Sequence, residues 1–466
     1  MADIILLLGS VLKHVFGLNE YQYRQKKTRQ PIIIDTKNLI NGHLLLTGMS
    51  GTGKSFQAQR LLASALQQNL DVDIFDVHNE LEQPGAVSAL YSESTQLGYN
   101  LLAINSDPHS GGVRRRINEI ISMVNATSRK LGSKQETALR NLLTDVYRVN
   151  GCDDNEPKTW RKQEITSQIR QDLIASHNHL ELRQYYPIID DLLSYADRKL
   201  TALYLGTNIK AVLALERVNQ LAGTLNRALQ KHQKSTQDEQ VEKTEKALET
   251  AKSKVKNEFE AYVDNIESGR EINDVMKYNS KDVLQSVIER LNILNAAGIF
   301  RPNPPPFGNA NGRCHQIKHL SDDQQSMFVT MRLEAIFRQC RDSGVKPDIQ
   351  HVVFLDEAHK FITEDRDNIV NIIAKEGRKF GLGLWCASQS PTHFSEDFLT
   401  NCGTTILLGL HSSYWEMACR KLRIDPAVLK FIRPRQVASI KLQLNGSMES
   451  KFQNAIINET ELPAIA

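Results

Sequence analysis

Residues 42–55, with the sequence GHLLLTGMSGTGKS, decide the fold of this chain. The first six are mostly apolar, as expected for a short buried strand, and a helical pattern occupies residues 56–68. Between them lies the pattern G-x-x-x-x-G-K-[ST], which is a P-loop. The backbone N–H groups of such a loop and the dipole of the following helix favour bound phosphate. The segment therefore predicts a strand, a phosphate-binding loop and a helix.

The P-loop residues have distinct expected tasks. Lys54 is expected to reach the β and γ phosphates, and the hydroxyl of Ser55 to coordinate Mg²⁺. The other predicted nucleotide contacts come from the loop and the first helical turn: Gly48, Ser50, Gly51, Thr52, Gly53 and Phe56. ATP and Mg²⁺ are the cofactors that this pattern predicts.

A second acidic element is expected on the same sheet, because the metal and the attacking water both need carboxylates. Residues 350–355, QHVVFL, form an apolar run that ends in Asp356 and Glu357. We expect Asp356 to face Mg²⁺ through water and Glu357 to polarise the attacking water.

Two polar residues flank the next predicted strand, residues 382–387. Gln389 follows its carboxyl end, where it can hydrogen-bond the γ-phosphate or the water. Arg378 lies in the turn before the strand. It is predicted to project across a subunit boundary, where an arginine stabilises transition-state charge, and the alternative is an exposed helix-end cation.

Further motifs occur in order along the chain. They are Asn41-Gly42-His43, residues 73–80 (DIFDVHNE), 131–133 (LGS), 355–359 (LDEAH), 376–381 (EGRKFG) and 388–391 (SQSP). Together they resemble the HerA/FtsK superfamily of hexameric DNA-pumping ATPases, and within it the HerA branch. The resemblance covers roughly residues 30–150 and 285–445. It implies an α/β fold with a RecA-like P-loop ATPase core of the ASCE type, a homohexamer around a channel, and ATP-driven translocation on double-stranded DNA.

One feature differs from the family pattern. The family often carries an N-terminal β-barrel before the P-loop, and only 47 residues precede Gly48 here. We therefore expect a HerA-like chain without that barrel.

The predicted organisation has five segments. They are an apolar docking segment (1–29), a first core part with the P-loop (30–150), a helical insertion (151–284), a second core part (285–450) and a tail (451–466). In the insertion, apolar residues recur every three or four residues from Val212 and every seven residues after Asp238. This spacing predicts two long antiparallel helices. This hairpin is either a solvated arm or a docking device for a partner. A strand is also predicted at residues 316–320.

The N-terminus is the most apolar stretch, but residues 4–16 are fewer than the ~18 needed to cross a bilayer. Its sequence also lacks the pattern of a signal peptide. We expect a helix or strand that docks against the body or a neighbouring subunit, with an interfacial membrane anchor as the alternative.

The composition gives little global charge, with 57 Lys and Arg against 54 Asp and Glu and a net charge of +3. Any DNA contact must therefore use a local patch. The densest basic groups of the core half are Arg114, Arg115, Arg116, Arg129 and Lys130. These residues are either solvent-exposed charges on a helix, or they bind DNA phosphates when the subunits of a ring repeat them around its channel. The six cysteines contain no Cys-x-x-Cys pair, which favours reduced thiols in a cytoplasmic protein over a zinc site or disulfides.

The leading functional hypothesis is a cytoplasmic, Mg²⁺-dependent ATPase ring that translocates double-stranded DNA. It would work with an effector such as a nuclease in DNA processing or antiviral defence. One alternative is a motor of a conjugation or secretion apparatus. The other is an ATP-assembled scaffold that docks and regulates a partner enzyme.

Overall fold

The computed structural model describes residues 5–15, 24–127, 130–205, 209–233, 238–265, 277–278, 280–362, 368–447 and 450–457. The chain divides into two compact units. Met1–Leu97 and Pro305–Ala466 form the first, which we call the core unit. Gly98–Pro304 form the second, which we call the helical unit.

All the strands described belong to one 11-stranded sheet in the core unit. Their bounds are β1 (Ile5–Val15), β2 (Arg24–Asp35), β3 (Leu44–Thr47), β4 (Asp71–Asp76), β5 (Ala86–Leu90), β6 (Gly312–Gln316), β7 (Lys346–Leu355), β8 (Phe380–Ser388), β9 (Thr404–Leu407), β10 (Val437–Leu442) and β11 (Gln453–Ile456). The spatial order is β2-β1-β11-β10-β9-β3-β8-β7-β4-β6-β5. From β9 to β5 the neighbours are parallel, and from β9 to β2 they are antiparallel.

The central strands are buried because their sequences are almost continuously apolar, as is typical of parallel strands covered on both faces. Leu44, Leu45 and Leu46 of β3 are almost fully buried. One apolar cluster joins β3, β7 and β8 to the helix that follows the P-loop. This packing holds the start of that helix against the carboxyl edge of the sheet.

The helices follow in chain order. They are α1 (Lys54–Gln67), α2 (Val113–Thr127), α3 (Ser133–Val149), α4 (Ser167–Ala175), α5 (His179–Leu182), α6 (Ile189–Leu205), α7 (Ile209–Gln233), α8 (Asp238–Asn265), α9 (Lys281–Ala296), α10 (Asp322–Asp342), α11 (Ile369–Glu376), α12 (Glu396–Thr400), α13 (Trp415–Leu422) and α14 (Pro426–Lys430). Helices α2 to α9 belong to the helical unit.

The helical unit extends beyond the predicted insertion, residues 151–284, at both ends. Helix α3 packs against α2, α6 and α9, and α6 packs against α9. Residues on either side of the predicted insertion therefore share an apolar interior with it. That interior includes Leu142 of α3, Leu192 of α6 and Leu291 of α9, all fully buried.

The predicted antiparallel pair of long helices is confirmed as α7 and α8, which we call the helical hairpin. Arg217 Nη1 lies 3.7 Å from Glu258 Oε2, and His232 Nδ1 lies 3.3 Å from Thr244 Oγ1. Partner numbers rise along one helix as they fall along the other, so the helices run in opposite directions. Leu248 and Tyr262, which belong to the predicted apolar pattern of sevens, are buried.

Of the two forms expected for the N-terminal segment, a helix or a strand, the structure has a strand. Strand β1 pairs antiparallel with β2 and with β11, where Ser10 faces Ile456 and Val11 faces Ala455. The apolar N-terminus is therefore part of the sheet of its own chain. None of the helices in the described ranges is both long and apolar enough to cross a membrane.

Candidate nucleotide site

The parallel strands bring the predicted site residues to one edge of the sheet. Strand β3 lies between β8 and β9, and Thr47 is in register with Ser388 and Leu407. The P-loop after β3, the acidic pair after β7 and Gln389 after β8 therefore emerge at the carboxyl edge, where open α/β sheets bind ligands. Residues from all three segments line a cavity of about 650 Å³.

The P-loop holds its shape through glycine conformations and one side chain. Gly51 and Gly53 have φ values of 81° and 95°, which favour glycine. Thr52 Oγ1 donates to the carbonyl oxygen of Met49 at 2.7 Å. A Cβ at Gly48 would lie 2.4 Å from Thr52 Oγ1, so only glycine fits there. The loop is closed over its own backbone, and its first helical turn faces the cavity.

Lys54 and Glu357 are joined directly across the site. Lys54 Nζ lies 2.6 Å from Glu357 Oε1. Glu357 Oε2 lies 3.2 Å from His359 Nδ1, and Oε1 lies 4.0 Å from His78 Nε2. Burial favours a higher pKa for Glu357, but the contacts with His359 and Lys54 outweigh it and lower the pKa to about 2. Glu357 is therefore an ionised carboxylate at neutral pH.

Asp356 has the opposite behaviour. It is buried beside the ionised Glu357, and its backbone N–H donates to the carbonyl oxygen of Phe75 at 3.1 Å. Burial is the main cause that raises the pKa of Asp356 to about 6, with the charge of Glu357 adding to it and Lys54 opposing it. A cation beside this carboxylate would offset that cost.

The oxygen atoms around Asp356 fit the predicted Mg²⁺. Ser55 Oγ donates to Glu80 Oε2 at 3.3 Å, and Ser55, Glu80 and Asp356 line the same cavity. Over the described ranges, no group of three or more His, Cys, Asp or Glu residues could hold a metal ion by itself. The Ser55 hydroxyl and the two carboxylates suit Mg²⁺, which proteins usually bind through one or two carboxylates together with substrate phosphates and water.

Residues without a predicted role line the cavity or contact the residues that line it. His78 and Glu80 follow β4 and belong to the motif at residues 73–80. His359 contacts Glu357. Arg435 comes from the turn before β10, and its Nε donates to the carbonyl oxygen of Gly51 at 3.1 Å. No sequence spacing links Arg435 to the P-loop, since the contact depends on the sheet order.

Arg378 is remote from the cavity of its own chain. It lies in the turn Gly377–Lys379, before the first residue of β8, whereas Gln389 follows the last. The nine residues of β8 separate them by about 30 Å at ~3.3 Å per residue. Arg378 is exposed, and its proposed action on a neighbouring subunit stays a prediction.

The predicted DNA contacts differ from one another. Arg116 is largely buried, with Nε donating to the carbonyl oxygen of Leu101 at 2.8 Å and Nη1 lying 3.0 Å from Glu119. Its guanidinium thus supports the helical unit. Arg114 and Arg115 are exposed, and they lie 3.6 Å from Asp154 and 3.4 Å from Glu119, respectively. Lys130 is exposed, and Arg129 lies outside the described residues.

Comparison with known proteins finds similarity to HerA helicases over part of the chain. The model of a family described as "Helicase HerA, central domain" matches residues 23–212. The DNA double-strand break repair helicase HerA of Saccharolobus solfataricus is 24% identical over 164 residues, which are 34% of this chain and 28% of that protein. The HerA of Pyrococcus furiosus is 43% identical over 61 residues, which are 12% and 11% of the two chains. Residues 23–212 therefore resemble the central domain of HerA helicases.

The fold of this HerA-like chain is also found in a solved structure. The structure of VirB4 of Thermoanaerobacter pseudethanolicus aligns with a TM-score of 0.56 and 14% identity, and the alignment covers 97% of this chain and 95% of that one. The predicted class, an α/β P-loop core with a large helical part, is confirmed. The matches to the two HerA proteins span less than a third of their lengths.

Proposed function

We propose that this HerA-like chain is a Mg²⁺-dependent ATP hydrolase that assembles into a ring and moves double-stranded DNA. The observation that carries the hydrolase is the cavity in which the P-loop lysine, two strand-end acids and Gln389 converge. Each residue type is the one that phosphoryl transfer needs at that place.

In this proposal the side chains act in turn. Lys54 leaves Glu357 and binds the β and γ phosphates, while Ser55 and Asp356 would hold Mg²⁺, which supplies charge stabilisation to the phosphates. Glu357, released from Lys54, accepts a hydrogen bond from the attacking water and orients it. Gln389 donates to the γ-phosphate or the water from the end of β8. His359 keeps the Glu357 carboxylate ionised throughout.

The ring and the DNA extend the proposal beyond one chain. The family match and the HerA relatives, described as DNA double-strand break repair helicases, support a DNA substrate. The exposed Arg378, which β8 separates from Gln389 by about 30 Å, supports completion of the site by a neighbouring subunit. A homohexamer, a cytoplasmic location and an effector such as a nuclease, in DNA processing or antiviral defence, belong to the same proposal.

The test compares ATP hydrolysis by the parent chain and by Glu357→Gln, with and without linear double-stranded DNA. We expect DNA to stimulate the parent, and the variant to lose at least ~100-fold in kcat, as for removal of a positioned base. Asp397→Asn changes an exposed carboxylate that does not line the cavity, and this matched control should behave like the parent. Equal rates for Glu357→Gln and the parent would refute the hydrolase.

A docking scaffold is the second candidate, and the helical hairpin favours it. Leu213 of α7 and Phe259 and Val263 of α8 are 46–50% exposed, and Phe259 and Val263 lie one turn apart. Apolar residues exposed this way on a charged hairpin suit contact with a partner protein. Serine at all three positions should abolish co-purification with an enzyme encoded beside this chain and leave DNA-stimulated hydrolysis unchanged. The control is Lys252→Ser, an exposed change on the same hairpin.

Membrane attachment is tested separately. The backbone of β1 is used by β2 and β11, which supports a structural role for the N-terminus over an anchor. Flotation with liposomes should leave the parent unbound, both with and without residues 1–18. Recovery with the vesicles that depends on those residues would favour the secretion motor.

A further inference from the structure

Arg435 occupies a turn position that normally requires glycine. Gln436 N–H donates to the carbonyl oxygen of Arg433 at 3.0 Å, which closes a turn with Pro434 and Arg435 at its centre. Arg435 has a φ of 61°. Proline followed by positive φ is the pattern of a type II turn, whose third residue is usually Gly or Asn. An arginine is strained at this position, and such strain is typical of residues whose side chains have a function.

The turn is attached directly to the P-loop. The backbone N–H of Arg435 donates to the carbonyl oxygen of Thr52 at 3.1 Å, and Nε donates to that of Gly51 at 3.1 Å. A Cβ at Gly53 would lie 3.3 Å from Arg435 Cγ. These contacts fix the base of the guanidinium against the middle of the loop.

Within the described part of the chain, no carboxylate lies within 4.0 Å of the Arg435 guanidinium, and Arg435 lines the nucleotide cavity. An arginine that is held through Nε and lines the candidate nucleotide cavity is suited to bind an anionic ligand.

We infer that Arg435 is a nucleotide-binding residue supplied by the same chain, and that it contacts the α or β phosphate of a nucleoside di- or triphosphate. The inference rests on the proposed nucleotide site and adds a residue to it. The α/β position follows from the contacts. P-loop backbone groups surround the α and β phosphates, and Arg435 is bonded to that loop. The γ-phosphate end belongs to Lys54, Glu357 and Gln389. Arg435 thus differs from Arg378, whose proposed action is in trans.

The test measures Kd for Mg²⁺·ADP and for a slowly hydrolysed ATP analogue by calorimetry, on the full chain. Arg435→Gly fits the turn without strain and removes the guanidinium. We expect it to weaken both nucleotides by about tenfold or more, as for loss of a charge-assisted hydrogen bond. Arg435→Lys should lose less, because it keeps the charge without the fork. Arg433→Ala is the matched control, since Arg433 donates to the carbonyls of Lys430 and Ile432 and does not line the cavity.

The melting temperature separates binding from support of the loop. Without nucleotide, Arg435→Gly should melt at or above the temperature of the parent, because the strained φ is relieved. Unchanged affinity for both nucleotides, weaker binding of the ATP analogue alone, or a melting temperature several degrees lower would each overturn the inference.

The variant Lys54→Ala distinguishes failure of the proposed nucleotide site from failure of the role of Arg435. If the parent and Lys54→Ala bind neither nucleotide, the nucleotide site itself fails. If the parent and Arg435→Gly bind nucleotide equally well and Lys54→Ala does not, the nucleotide site stands and only the role of Arg435 fails.

Discussion

Lys54 and Glu357, which are 303 positions apart in the chain, form a 2.6 Å ion pair in the lining of the candidate nucleotide cavity. Both side chains are at most 13% exposed, so the pair is screened little by solvent. In the proposed function Lys54 binds phosphate and Glu357 orients the attacking water, and in this structure the two side chains neutralise each other. Under that proposal phosphate binding would break the ion pair and release Glu357 for its role.

Asp356 gives a stability prediction, because its buried carboxylate is costly without a cation. The folded pKa of about 6 is above the unfolded value of 3.8, so the folded chain binds the extra proton between these values. The ionised Asp356 therefore lowers the free energy of unfolding by its full amount above pH 6. This loss of stability disappears as the pH falls toward 4. We expect Asp356→Asn to stabilise the nucleotide-free chain by about 1–2 kcal/mol at pH 7.5. The gain should shrink toward pH 4.5.

Urea unfolding at a series of pH values, with and without Mg²⁺·ADP, measures this effect. Nucleotide should stabilise the parent and leave Asp356→Asn almost unchanged, since the variant lacks the carboxylate that would face the metal. A variant that is less stable than the parent at pH 7.5 would contradict the account of Asp356.

Arg378 gives a prediction about assembly. Arg378→Ala and Glu357→Gln should each be nearly inactive alone. In mixed rings, the first variant contributes an intact Glu357 and the second an intact Arg378 to a shared interface, so hydrolysis should partly return. Activity of the mixture against mixing ratio is the measurement, and Lys379→Ala is the control expected to stay active. A mixture no more active than its parts would place Arg378 outside the shared site.

Asp73 anchors a buried polar cluster between β4, β6 and β7. Arg313 Nη2 and His351 Nε2 lie 2.7 Å from Asp73 Oδ2, and His315 Nε2 lies 2.9 Å from Oδ1. We expect Asp73→Asn to destabilise the chain by about 3–5 kcal/mol, because buried partners lose their counter-charge. Asp71→Asn is the control, since Asp71 is half exposed and lies 3.3 Å from the same arginine, and its cost should be below about 1 kcal/mol. The free energy of unfolding in urea distinguishes the two.

The same cluster explains what the sequence could not predict. The central strands, the P-loop and the acidic pair follow from apolar runs that end in chemically distinctive residues. Strand β6 was expected at residues 316–320 but occupies Gly312–Gln316. Its sequence is polar, because it contains the partly buried Arg313 and the buried His315, and both side chains bond to Asp73 on the neighbouring strand. Arg435 was missed for a related reason, because it reaches the P-loop through the sheet order and a turn conformation.

His359 gives a prediction about the pH dependence of hydrolysis. Glu357 must be ionised to act as a base, and its contact with His359 helps to lower its pKa to about 2. In His359→Ala that contact is lost, so the pKa of Glu357 should rise toward its ordinary value of 4.5. The acid limb of kcat/KM against pH should then move upward, with little change in rate at pH 8. His393→Ala, which removes the ring 5.0 Å from His359, is the control that keeps the Glu357 contact. An acid limb that stays in place in His359→Ala would mean that Lys54 alone keeps Glu357 ionised.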